Sequence, residues 1–167
     1  MSNYVYLLSP TRLKQDSIAC DNIDDKYAIN AIKTAQDIQL TELIGSKLVK
    51  KVQQLIADRL INTEGYEDYK ELLDSYIIPF LVMQTTAELI MPIQFKLRNA
   101  GLTQSADTQT QYATLEESQY ISQHYQNKAR FYGERMKDFA NGFDEYTNTC
   151  SCDGEVKPGK YRVNITI

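Results

Sequence analysis

The chain has 167 residues, 43% hydrophobic and 24% charged, with a formal net charge of −4. That length favours a single domain able to bury a core, and the composition is that of a globular chain rather than a disordered one. The acidic balance argues against wrapping nucleic acid through phosphate neutralisation, which needs a basic face.

The opening stretch MSNYVYLLSPTRLKQDS lacks a basic region followed by a long apolar run, so no secretory leader is expected. Ser9-Pro10 reads as an N-cap with proline at the first helical position, starting a short helix to about Ser17. Asp24 or Asp25 can cap the next helix. Along it Ala28, Ala31, Ile32, Ala35 and Ile38 recur at helical spacing, a face of small side chains that lets a neighbour approach closely. A second run places Leu40, Ile44, Leu48, Val52, Leu55 and Ile56 on one stripe and Lys47, Lys50, Lys51, Gln54 and Asp58 opposite. It predicts a helix to about Ile61 with Gly45 one turn inside it. Asn62–Gly65 is a turn cluster.

A long helix follows from about Tyr66 to Ile90, with Tyr66, Tyr69, Leu72, Leu73, Tyr76, Ile77 and Phe80 at steps of three and four. Pro79 cannot bond to the Ser75 carbonyl, which predicts a kink or break near Ser75–Ile78. Beyond it the segment is apolar nearly all round, as in a central buried helix. Gln84, Thr85, Thr86 and Glu88 interrupt its greasiest part, so a membrane span is not expected. Pro92 disfavours a helical residue before it, and Ile93, Phe95 and Leu97 alternate with Gln94, Lys96 and Arg98, which predicts a short strand or extended arm ending at Asn99–Gly101. Thr103–Ala113 reads as a polar surface loop, with weak order expected over Thr103–Tyr112 in the free monomer. Thr114 and Glu117 form a capping box opening a last helix to about Tyr146. Its stripe is Tyr125, Ala129, Tyr132, Met136, Phe139 and Phe143, and Asn141-Gly142 weakens its end. In the tail, Asp153-Gly154 and Pro158-Gly159 signal turns, and Tyr161, Val163, Ile165 and Ile167 alternate like one face of a strand. The expected fold is mainly α: a small bundle of about four to five helices over residues 1–147, with a short arm or strand and an extended C-terminal tail over 148–167.

Candidate chemistry is sparse. The cysteines are Cys20, Cys150 and Cys152, too few and too irregular for a disulfide framework, and a reducing compartment is expected. Cys150-x-Cys152 lacks the spacing and partner ligands of a zinc site. His124 is the one histidine, without a positioned nucleophile or G-x-S-x-G elbow. Gly45-Ser46-Lys47 lacks the upstream glycine and strand of a phosphate loop. Asp24-Asp25, Glu67-Asp68 and Glu116-Glu117 fall at helix starts, where they complement the dipole better than they would serve acid–base catalysis. No catalytic, cofactor or metal residues are assigned, and an enzyme is not expected. The twelve tyrosines suit interfaces, because each offers a large contact area with a polar tip, although a bundle's core rim uses them too.

Three stretches, AIKTAQDIQLTELIGSKL (Ala31–Leu48), YKELLDSYIIPFLVMQTTAELI (Tyr69–Ile90) and FKLRNAGL (Phe95–Leu102), carry a resemblance. Over about Ser9–Glu145 the chain resembles the small head–tail connector, or neck adaptor, proteins of tailed bacteriophages, chiefly those of phages of Bacteroidetes bacteria. The tail after Thr147 is outside that likeness. The resemblance implies a structural virion protein at the head–tail interface, assembled in the host bacterial cytoplasm. Copies would form a ring, commonly of twelve, that binds the portal protein, extends the DNA channel and docks further neck or tail proteins. The genome would pass through without sequence-specific binding, and no membrane is involved. Tyr161, Val163, Ile165 and Ile167 have only the arm carrying Phe95 and Leu97 as an obvious partner within the chain. An isolated two-stranded pairing is marginal, so these six are the expected partner-binding residues, with the tail adding to a sheet in another subunit or in the portal. The rival reading is a helical regulatory or adaptor domain of a mobile element, acting as monomer or dimer.

Overall fold

The structure, a computed structural model, describes residues 4–18, 22–98, 101–104 and 114–146. Non-helical residues ahead of the first helix bury Leu7 and Leu8. The Ser9 hydroxyl then accepts the Arg12 N–H at 3.2 Å and starts α1 (Pro10–Asp16), which buries Leu13. The Asp24 carboxylate caps α2 by accepting the Lys26 N–H at 2.9 Å. Helix α2 runs unbroken over residues 25–44.

The middle of α2, Ala35–Leu40, is a π-helical turn. Such a turn carries one residue more than an α turn and rotates everything beyond it. Ala28, Ala31, Ile32 and Ala35 are buried as their spacing requires, but Ile38 is 58% exposed, and Gln36 and Leu40 take the inward places. Between the run that ends at Ile38 and the run that begins at Leu40 there is therefore a change of winding, not a helix end. The end comes at Gly45, whose φ of 81° and ψ of 150° leave the helical region. Glycine adopts that positive φ without penalty. The single helix expected from Leu40 to Ile61 is thus two: the last turn of α2, and α3 (Ser46–Ala57). The apolar stripe survives the division, because Leu40, Ile44, Leu48, Val52 and Leu55 are all buried.

Helix α3 stops at Ala57, short of Ile61, through a Schellman cap. Leu60 N–H bonds to the Leu55 carbonyl at 2.8 Å and Arg59 N–H to the Ile56 carbonyl at 3.1 Å. That geometry needs a left-handed residue, and Arg59 supplies it at φ 58°.

Helix α4 (Glu67–Gln94) is the central element. Its second turn, Leu72–Ile77, is also π-helical, and the Ile78 N–H bonds five residues back to Leu73. This is how the chain admits Pro79: the wide turn makes room for a ring that has no N–H to give to Ser75. The kink expected near Ser75–Ile78 takes that form. Beyond it Phe80, Leu81, Val82, Gln84, Thr85, Thr86, Ala87 and Leu89 are buried, on all sides of the helix.

The helix passes through Pro92 rather than stopping at Ile90. A proline this close to the end removes one bond from the last turn, and Phe95 N–H closes that turn onto the Met91 carbonyl. Ile93, expected in the strand, is therefore helical, and the strand begins two residues later. Strand β1 (Phe95–Arg98) pairs antiparallel with β2 (Gly101–Gln104), Phe95 opposite Gln104 and Arg98 opposite Gly101. Thr103 and Gln104, expected in a loop, lie in β2. The rest of that expected loop, 105–113, is outside the described residues.

The Thr114–Glu117 box starts α5 (Leu115–Ala140): Glu117 N–H bonds the Thr114 hydroxyl at 3.2 Å, and Thr114 N–H bonds the Glu117 carboxylate at 2.7 Å. The helix ends at Ala140, not Tyr146, with turns from Asn141 onward. Tyr125 is only half-buried and meets His124 and Lys128 of its own helix, but Ala129, Tyr132, Met136, Phe139 and Phe143 face inward as their rhythm predicts. So does Gly133, where a Cβ would lie 3.1 Å from Leu43 Cδ1 and 3.5 Å from the Phe80 ring. Helices α4 and α5 are antiparallel. Ser118 bonds to Gln94 at one end of the pair, and Tyr69 meets Glu145 at the other. The protein is a small, mainly α bundle of five helices with one short hairpin among the described residues.

Candidate functional site

The π turn of α2 places Gln36 completely inside, and its side chain is fully used. Oε1 accepts the Leu7 N–H at 2.9 Å, and Nε2 donates to the Val5 carbonyl and to the Tyr4 hydroxyl, each at 3.0 Å. Gln53 of α3 donates to the same Val5 carbonyl at 3.1 Å. Tyr4 donates to Asp37 at 2.6 Å and lies beneath the Lys33 ammonium, 5.3 Å from its ring centroid. Burial, and then the bond to the Asp37 carboxylate, push the Tyr4 hydroxyl well above its ordinary pKa. A buried amide with every group paired fixes its neighbours strongly. Here it ties the non-helical N-terminal residues to α2 and α3. Sequence reasoning missed it, because one glutamine among polar neighbours carries no periodic signal.

At the far end of the bundle an aromatic group joins α4 to the end of α5. Tyr76 stacks on Phe139 with centroids 4.5 Å apart, and Tyr69 meets Phe143 edge-on at 4.8 Å. Tyr69 also donates to Glu145 at 3.0 Å, and Arg135 covers the outer face of Tyr76 at 5.7 Å. Burial first, then the bond to Glu145 and its charge, push the Tyr69 hydroxyl up to about 12. Seven of the twelve tyrosines thus have defined work in packing: Tyr4 in the Gln36 network, and Tyr27, Tyr66, Tyr69, Tyr76, Tyr132 and Tyr146 against the core.

The other candidate groups fall where helix physics puts them. Asp24 and Glu117 cap helices, and Glu67 accepts the Gly65 N–H at 2.9 Å. His124 is exposed beside the Tyr125 ring on α5. Among the described residues no three His, Cys, Asp or Glu side chains gather as a metal set. Cys20, Cys150 and Cys152 lie outside the described residues. Two open clefts flank the end of α4. One, of about 330 Å³, is lined by Met91, Gln119, Ser122, Gln123 and Gln126, none of them titratable. The other, of about 310 Å³, is lined by Asn22, Ile23, Asp24, Tyr27 and Ile93, and its one carboxylate is the α2 cap. Neither cleft brings a nucleophile and a base together.

Of the expected partner-binding residues, Phe95 is half-buried at the start of β1, and Leu97 sits in the same strand opposite Leu102. The arm carrying Phe95 and Leu97 is paired to β2. Tyr161, Val163, Ile165 and Ile167 are outside the described residues. A surface that sequence reasoning did not single out is the outer face of α5. Tyr120 is 74% exposed and Phe131 63%, and both project opposite the buried Ala129–Gly133–Met136 side with His124 between them. Large exposed aromatics on one helix face mark a surface suited to a partner.

No curated protein and no solved structure matches the chain. A family model matches residues 40–156, from the end of the first π turn through α3, α4, the hairpin and α5 to ten residues beyond Tyr146. With that match spanning most of its length, the chain belongs to the family of unknown function DUF6712.

Proposed function

We propose that this protein is a structural subunit of a tailed-phage virion, a head–tail connector. In this reading copies form a ring that binds the portal, lengthens the DNA channel and receives the next neck or tail component. The motif resemblance over about Ser9–Glu145 supplies the identity. The observation that carries the reading is the outer face of α5, where the two most exposed aromatics among the described residues, Tyr120 and Phe131, share one side of the helix. A soluble monomer gains nothing from two aromatics held so far out, whereas a subunit covered by its neighbours does. The bundle also suits a passive role. Asp24 and Glu117 cap helices, and the two clefts lined by described residues beside the end of α4 hold no convergent reactive groups. Its net charge of −4 suits a channel wall that must not hold DNA.

The test is imaging and mass measurement of the purified protein alone and mixed with the portal of the same phage, together with location of the polypeptide in purified particles. A large discrete ring at the vertex where DNA leaves is the expected result. A protein that stays monomeric or dimeric with portal present, and is missing from particles, returns the choice to a regulatory or adaptor domain.

A further inference from the structure

Hairpin β1–β2 is the one sheet among the described residues, and its strands pair only with each other. Each strand has four residues, and among the described residues no third strand pairs with the outer edge of either. Two strands alone are marginal in water, and an open edge is a template for a third. The sequence holds a matching segment. Tyr161–Ile167 alternates Tyr, Val, Ile and Ile with Arg, Asn and Thr, and has no proline or glycine.

Geometry decides whose hairpin that segment can reach. The hairpin continues directly from Gln94, beside the start of α5, where Ser118 bonds to Gln94. Residues 141–146 lie at the other end, where Glu145 meets Tyr69. Between these ends stands α5, whose 26 residues span roughly 39 Å. Residues 147–160 form the connection, and fully stretched they cover about 46–50 Å. As a flexible chain their typical end-to-end distance is only about 20 Å. Pairing within one chain therefore demands a connection pulled almost straight along the whole bundle, which the turn signal Pro158-Gly159 in its sequence opposes. Another copy's hairpin placed near Glu145 needs no such extension.

We infer that Tyr161–Ile167 docks as an added strand on an open edge of the β1–β2 hairpin of a second copy of this chain. This rests on the reading above that copies assemble, and it names the contact that links them. A head-to-tail join of this kind uses two different surfaces of each subunit, so it closes into a ring where the rotation permits.

The test uses full-length protein in equal parts of natural and ¹⁵N-labelled chains, treated with an amine-reactive cross-linker. Lys96 lies in β1, and Lys160 immediately precedes Tyr161. The expected result is a Lys96–Lys160 link in which mixed-isotope pairs are as abundant as same-isotope pairs. Val163→Pro, which removes a ladder donor, should abolish that link and the concentration-dependent rise in mass while leaving thermal unfolding of the bundle unchanged. Same-isotope links alone would place the tail on its own hairpin and overturn the inference. So would the absence of the link together with unaltered self-association in Val163→Pro. The outcome is independent of the virion assignment: a mixed-isotope link from a protein absent at the portal vertex sinks the connector reading and leaves this contact standing.

Discussion

At the residue scale, the most consequential side chain is Gln36. Changing it to Leu keeps roughly the volume but leaves the Leu7 N–H and the Val5 carbonyl without this partner, and Val5 keeps only Gln53. A buried group stripped of its hydrogen bond costs about 1–3 kcal/mol, so Gln36→Leu should lower the urea-unfolding free energy by that much. Tyr4→Phe removes only the exposed bond to Asp37 and one of two Nε2 contacts, and should cost less in the same assay. Arg59 offers the opposite sign. It holds the left-handed Schellman position of α3 at φ 58°, and its side chain is exposed. A non-glycine residue there is strained by roughly 1–2 kcal/mol, part of which returns as unfolded-chain entropy when glycine replaces it. Arg59→Gly should therefore raise stability by about 0.5–1 kcal/mol, and a fall in the urea midpoint would show that the side chain does more than occupy a cap.

At the element scale, hydrophobic period reveals most of the buried faces of α2 to α5, and it misleads where the winding changes. A period of 3.6 predicts Ile38 inside, yet the π turn over Ala35–Leu40 turns it out. The trace is present in the chain: buried apolar residues five apart, Ala35 and Leu40, Leu72 and Ile77, Leu73 and Ile78, mark both π turns. Steps of five are compatible with a break as well as with a wide turn, and nothing local separates the two. Gly45 shows the same ambiguity reversed, since one glycine inside an amphipathic pattern is tolerated by many helices. The close crossing of α2 and α5 at Gly133 was equally hidden, because a glycine reveals close approach only when the partner is known. Gly133→Leu should destabilise by about 1–3 kcal/mol, as Leu43 and the Phe80 ring already fill the space. The join between α4 and α5 carries a pH dependence. The Tyr69 hydroxyl titrates near 12 in the folded protein, above its ordinary 10. Its contribution is therefore whole below pH 10 and declines as pH rises from 10 to 12, where the unfolded chain ionises first. Melting temperature should fall more steeply over that window in the natural protein than in Tyr69→Phe. Parallel curves would remove the Tyr69–Glu145 bond from the account.

At the scale of the whole molecule, the inward surfaces explain themselves and the outward ones do not. The inward half of α5 was legible because packing imposes a rhythm on Ala129, Tyr132, Met136 and Phe139. The outward half was not, because Tyr120 and Phe131 are left mostly in solvent, Phe131 meeting only the edge of its neighbour Tyr132, and a periodicity argument registers only what the chain itself buries. The hairpin was half legible for a related reason: alternation disclosed β1, while the polar composition around Thr103 concealed β2. If the outer face of α5 exists for neighbouring subunits, its contribution to the lone subunit is negligible and its contribution to assembly is large. The double substitution Tyr120→Ser with Phe131→Ser separates these. Both side chains are mostly in solvent, so the unfolding free energy at low protein concentration should stay within about 0.5 kcal/mol of the natural value. Sedimentation at rising concentration, or in the presence of portal, should show loss of the large species. Loss of stability without loss of assembly would mean that these aromatics serve the bundle itself, and the surface through which copies meet would have to be sought elsewhere.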